Sequence, residues 1–178
     1  KSSKEDVKIR GLTVEEQKRL VEVMEAKKPP YGRNDYRLQL FIELYSGMRM
    51  GEINALRAED VDLKKNVIHV RGTISQGIGE RRFVKRGAKT RNGVRDIPIG
   101  DKLRPFLEKA LEQQKDNPEG LIFYDYNKDA LINTCQVNNY YHRICEAAGI
   151  PCMGQHALRH TFATRCIESG ITAVVLKN

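Results

Sequence analysis

The chain has 178 residues, enough for one domain with a substantial core or, less readily, two small ones. At 40% hydrophobic and 30% charged it is not a disordered tract, and its formal charge of +8 favours a polyanionic partner, with nucleic acid the first candidate. No apolar run is long enough to span a bilayer, "KSSKEDVKIR" has no hydrophobic signal core, and Cys135, Cys145, Cys152 and Cys166 form no C-x-x-C pair, so a soluble, intracellular chain without disulfides is the expectation.

Residues 1–10 are polar and charged and lack an initiating Met; they read as a linker remnant, with residues 11–178 expected to be one domain of a longer protein, incomplete at its C-terminal end. Thr13 followed by Glu16 is a capping box that opens a helix with Leu20, Val21 and Met24 on its inner side, ended by Pro29 and Pro30. A second helix, from about Asn34 to Ser46, carries Leu38, Phe41, Ile42 and Tyr45 at helical spacing and stops at Gly47. A short helix around Glu52 to Arg57 follows. "NVIHVRGTIS" and "GVRDIPI" alternate apolar and polar residues and read as strands, with Asn92-Gly93 as a hairpin turn before the second. Asp101 can cap a helix to about Gln114, "TCQVNNYYHRICEAAG" reads as helical up to Gly149, and "ITAVVLKN" starts a further element. The expected fold is α+β: a mainly helical domain with a small antiparallel β-sheet of about three strands.

Three stretches carry candidate chemistry. In "GQHALRHTFAT", residues 154 to 164, helical spacing sets His156, Arg159 and His160 on one face, with Leu158, Phe162 and Cys166 as an apolar line beside them. The guanidinium fits the fork of a phosphate and repels a metal cation. Two alternatives stay open: satisfied core histidines, and a loose zinc spacing, C-x6-C-x3-H-x3-H, through Cys145, Cys152, His156 and His160. Arg49 follows a helix stop and is flanked by Gly47 and Gly51, and Glu52 can hold its guanidinium in place. Between the predicted strands, Arg81, Arg82, Lys85, Arg86, Lys89, Arg91 and Arg95 form a basic block without an acid, a candidate DNA-backbone-tracking element whose plain alternative is a solvated hairpin. Lys89, before the turn, can act as a general acid if neighbouring charge lowers its pKa.

The ordered set "SGMRMGE", "AKTRNGVRDIPI" and "HALRHTFAT" closely resembles the catalytic domain of the tyrosine recombinases, the phage and transposon integrases, over nearly the whole chain. The resemblance implies that Arg49 and Arg159 clamp a scissile phosphate, Lys89 protonates the departing 5′ oxygen, and His156 and His160 are the two histidines of the motif. Glu52 would support Arg49, and Arg81, Arg82, Lys85, Arg86, Arg91 and Arg95 would lie on DNA. It implies double-stranded DNA as partner, self-association on DNA into a tetrameric synapse, a bacterial or phage-encoded cytoplasmic protein, and a reaction needing no metal or other cofactor. One departure stands out: family members place the nucleophilic tyrosine after the H-x-x-R helix, whereas tyrosines 31, 36, 45, 124, 126, 140 and 141 all precede His156. These 178 residues are therefore expected to bind DNA without cleaving it. The rival readings are a non-catalytic DNA-binding module, a zinc protein, and a type IB topoisomerase of shared chemistry.

Overall fold

A computed structural model describes residues 10–26, 35–76, 81–87 and 94–170. The predicted capping box forms: the Thr13 N–H donates to Glu16 Oε2 at 2.8 Å and the Glu16 N–H to Thr13 Oγ1 at 3.1 Å, starting α1 (Val14–Ala26). Leu20 and Met24 of α1 are fully buried. Helix α2 (Arg37–Ser46) is buried on nearly every side through Leu38, Leu40, Phe41, Ile42 and Leu44, which makes it the central element of the core. Gly47 ends it in the left-handed conformation at φ 65°, its N–H donating to the Glu43 carbonyl at 2.9 Å.

The next helix, α3 (Met50–Ile53), is a single turn, shorter than the expected Glu52 to Arg57 because Arg57 instead opens a 3-10 turn at Ala58–Asp60. The predicted strand over residues 66–75 is two strands. β1 (Val61–Asp62), β2 (Val67–Val70) and β5 (Arg95–Pro98) form an antiparallel sheet in the order β1-β2-β5, with Ile68 opposite Ile97 and Val70 opposite Arg95. Pro98 is tolerated because β5 is an edge strand among the described residues. β3 (Gly72–Gln76) pairs with β4 (Arg82–Arg86) in a separate ribbon. The basic block was expected to form a hairpin with the strand at Arg95; β4 instead pairs with β3, and Asn92-Gly93 lies outside the described residues.

Helix α4 (Arg104–Glu112) begins at Arg104 with Pro105 in its first turn, later than an Asp101 cap would start it. Phe106 stacks on Phe41 of α2 at a centroid distance of 4.0 Å. Helix α5 (Thr134–Ala148) opens with Asn133 and Gln136 in a capping box, and it ends where the sequence predicts, at Gly149, φ 63°. Tyr140 and Tyr141 are buried in it as packing residues.

Helix α6 (His156–Glu168) lies against α2 and buries Ala157, Leu158 and Thr161; of the expected apolar line only Leu158 is fully buried, Phe162 and Cys166 being half-buried. The segment before α1 is fastened to α6. The Leu12 N–H donates to Thr161 Oγ1 at 2.8 Å and Arg165 donates to the Leu12 carbonyl at 2.8 Å. Among the described residues a main core joins the six helices and the three-stranded sheet, and Leu121, Tyr124 and Leu131 make a smaller cluster under the ribbon. Among the described residues no helix is long and apolar enough to cross a membrane.

Candidate active site

The turn between α2 and α3 places Arg49. Gly47 takes the sharp left-handed step, Met48 is buried, and Arg49 then stands as the N-cap of α3 with its side chain 58% exposed. Glu52 fixes it twice: the Arg49 N–H donates to Glu52 Oε2 at 2.9 Å and Nη1 donates to Oε1 at 3.1 Å. The same carboxylate accepts both terminal nitrogens of Arg95 from β5, at 3.0 and 2.7 Å. Burial alone would raise the Glu52 carboxyl, but the hydrogen bonds from Arg95, from the Arg49 backbone and from the Arg49 guanidinium hold it below the usual carboxylate range. Glu52 is thus ionised and orients two guanidiniums at once.

Arg159 arrives from the other side of the site. It projects from the first turns of α6, half-buried, and its guanidinium donates to the carbonyl of Gly47. Its pKa lies below the ordinary guanidinium value because of burial and then because Arg49 and Arg95 crowd it with positive charge; Glu52 and Glu43 oppose that effect. A guanidinium remains charged under such a shift, so the result is a fixed positive focus with Arg49 open to solvent.

Two close approaches set this geometry. A Cβ on Gly47 would come within 2.3 Å of Phe162 Cδ1, so α6 can lie on the turn only because that side chain is missing. A Cβ on Gly51 would come within 2.7 Å of Thr73 Oγ1, so α3 and the β3–β4 ribbon also meet closely.

Among the sequence candidates, the structure brings Arg49, Glu52, Arg95 and Arg159 together. His156 and His160 are exposed one helical turn apart on α6, flanking Arg159. Lys89 and Arg91 lie outside the described residues. Arg95, read from sequence as a DNA contact, spends its guanidinium on Glu52. Arg82 donates from Nε to the Leu131 carbonyl at 3.3 Å, and Arg86 pairs with Glu59 and Asp60 at 3.5 and 3.4 Å; Arg81 is exposed and Lys85 partly so. The loose zinc spacing does not converge: Cys145 is fully buried while His156 and His160 face outward, and among the described residues no group of three His, Cys, Asp or Glu side chains could hold a metal ion.

Sequence reasoning missed three parts. The Arg95–Glu52 pair joins residues 43 apart, and the Gly47 carbonyl joins Arg159 across 112 positions, and neither has a local sequence signal. Glu43 has one: it is the only charged residue in the mostly apolar "LQLFIELYS".

The Phage integrase family matches residues 10–178. Tyrosine recombinase XerA of Thermococcus kodakarensis is 34% identical over 164 residues, covering 91% of this chain and 50% of the relative. The tyrosine recombinase XerC-like protein of Caldanaerobacter subterraneus is 28% identical over 167 residues, covering 83% of this chain and 43% of the relative. The chain thus spans about half the length of the curated relatives it matches. Among solved structures, the Tn1549 transposon integrase (residues 82–397), in complex with circular intermediate DNA, superposes with a TM-score of 0.80 at 21% identity, covering 94% of this chain and 57% of that one. That likeness establishes a shared fold.

Proposed function

Since the chain belongs to the phage integrase family of tyrosine recombinases, we propose that it is the phosphate-activating part of an enzyme for site-specific DNA recombination. The observation that carries the reading is the convergence of Arg49 and Arg159 at the Gly47 turn, both oriented and one of them open to solvent.

In this reading a scissile phosphodiester of double-stranded DNA sits between the two guanidiniums, which contact its non-bridging oxygens and offset the negative charge that grows in the pentacoordinate transition state. A tyrosine oxygen attacks phosphorus, the bond to the 5′ oxygen breaks, and Lys89 supplies the proton that makes the leaving group a 5′ hydroxyl. The product is a 3′-phosphotyrosine, and a 5′ hydroxyl from a partner strand reverses the step. His156 and His160, flanking Arg159, contact the phosphate and assist proton transfer. Glu52 and Arg95 keep Arg49 in place. Arg81, Arg82 and Lys85 follow the DNA backbone from the ribbon. Exchange between two duplexes calls for several copies on DNA. Within residues 1–178 every tyrosine precedes His156, so the nucleophile in this reading comes from outside these residues, and the chain alone binds DNA without cutting it.

The test is covalent trapping on a nicked duplex that loses its 5′ hydroxyl strand after cleavage. A polypeptide carrying residues 1–178 and the sequence after them should give a denaturation-resistant adduct at a tyrosine beyond residue 178, and Arg159→Ala should abolish it. Salt-sensitive binding with no adduct would favour a non-catalytic DNA-binding module, a reading consistent with the burial of Tyr36, Tyr124, Tyr140 and Tyr141.

A further inference from the structure

Glu43 is fully buried on α2, and among the described residues neither of its carboxyl oxygens has a hydrogen-bond partner. Leaving such a group unpaired is costly, and most of its buried neighbours on α2 are aliphatic or aromatic, a kind of side chain that would fill the position more favourably. Its location is specific. Glu43 is one helical turn before Gly47, whose N–H bonds the Glu43 carbonyl and whose own carbonyl receives Arg159 from α6. A costly group placed one turn behind a site residue suggests a role in the site.

We infer that Glu43 is a positioning residue for Arg159, a buried carboxyl that leaves the guanidinium charge available to a phosphate while it is protonated and withdraws that charge when it ionises. The inference rests on the reading of Arg159 as a phosphate ligand. The titratable groups that face Glu43 are Arg159 from α6 and, from α5, the buried Tyr141 with Cys145 beside it. On α2 itself Gln39 turns to Asn54, just after α3, with 3.5 Å between Nε2 and Oδ1, and α4 meets α2 through the Phe106–Phe41 stack. Arg159 is therefore the charge that Glu43 senses, and burial, only partly opposed by Arg159, pushes its pKa up to about 9. At neutral pH the carboxyl holds its proton. A phosphate anion at Arg159 disfavours the ionised carboxyl, and by linkage the proton on Glu43 favours the phosphate by the same factor.

The experiment measures affinity of the 178-residue chain for a short DNA duplex at fixed ionic strength from about pH 7 to about pH 10, alongside thermal melting. Wild type, Glu43→Gln, Glu43→Leu and Arg159→Ala are compared. Wild-type affinity should fall about tenfold more across this range than that of Glu43→Gln, which keeps the neutral form throughout and cancels the contributions of other titrating groups. Glu43→Leu, equally uncharged at every pH, should melt higher than wild type and share the flatter binding profile of Glu43→Gln; a Leu variant whose affinity falls with pH as steeply as wild type would contradict the inference. A Glu43→Gln profile that tracks wild type, in a chain whose binding still depends on Arg159, overturns the inference alone. Binding unaffected by Arg159→Ala overturns the phosphate reading and the inference with it.

Discussion

The guanidinium of Arg159 donates to the carbonyl of Gly47, the residue that ends α2 in the left-handed conformation two positions before Arg49. One backbone turn therefore sets both arginines, and a change in that turn reaches the two together.

Gly47→Ala should show this coupling. Alanine at φ 65° is strained by about 1 kcal/mol, and its Cβ would meet the Phe162 ring at 2.3 Å, so denaturant unfolding should show a larger loss, about 2–4 kcal/mol. DNA affinity should fall as well. Adding Phe162→Ala should relieve the ring overlap, so the double variant should lose less than the sum of the two single changes.

Glu52 and Arg49 should separate stability from binding. Glu52→Ala leaves Arg95 half-buried beside Arg49 without its carboxylate, and chemical denaturation should report a loss of about 3 kcal/mol. Arg49→Ala removes a mostly exposed side chain and should change stability by less than about 1 kcal/mol while weakening DNA binding.

The pH dependence of stability follows from Glu43. Its carboxyl titrates near 4.5 when exposed and near 9 in the fold, so between these values the native state keeps a proton that the unfolded chain releases. Rising pH then favours unfolding, at up to about 1.4 kcal/mol per pH unit from this one group, and the effect levels off above about pH 9. Melting curves between about pH 5 and pH 9 should show wild type losing stability steadily relative to Glu43→Gln.

On the ribbon, neighbours should behave differently. Lys85→Ala should reduce the slope of log affinity against log salt by about 0.9, the loss of one phosphate contact. Arg86→Ala should leave that slope nearly unchanged and lower stability slightly, because Arg86 is paired with Glu59 and with the buried Asp60.

What the sequence reveals here is what is local. Thr13 with Glu16, and Gly47 and Gly149 at φ 65° and 63°, mark helix ends through bonds to residues within one or two turns, and all lie where their spacing predicts. The break between β2 and β3 is invisible in the sequence because the alternation runs on through Arg71, and pairing depends on distant partners: Val70 meets Arg95 while Gly72 meets Arg86. The site divides in the same way. Arg49 with Glu52, three apart, and Arg159 with its flanking histidines stand out as local patterns. That Arg95 would turn to Glu52 follows only from the sheet register beside α3. Glu43 is visible as a lone acid, but the hydrophobic period of α2 stands out more strongly, and its cost becomes apparent only once the helix is seen to be buried all round.

The central claim is that Arg49 and Arg159 form one phosphate-binding unit. A double-mutant cycle on duplex DNA affinity, with Arg49→Ala, Arg159→Ala and the double variant at fixed salt and pH, tests it most directly. Shared contact with one phosphate predicts a coupling of about 1 kcal/mol or more, the second removal costing clearly less than the first. Strictly additive losses, or affinity unchanged by either substitution, would contradict it.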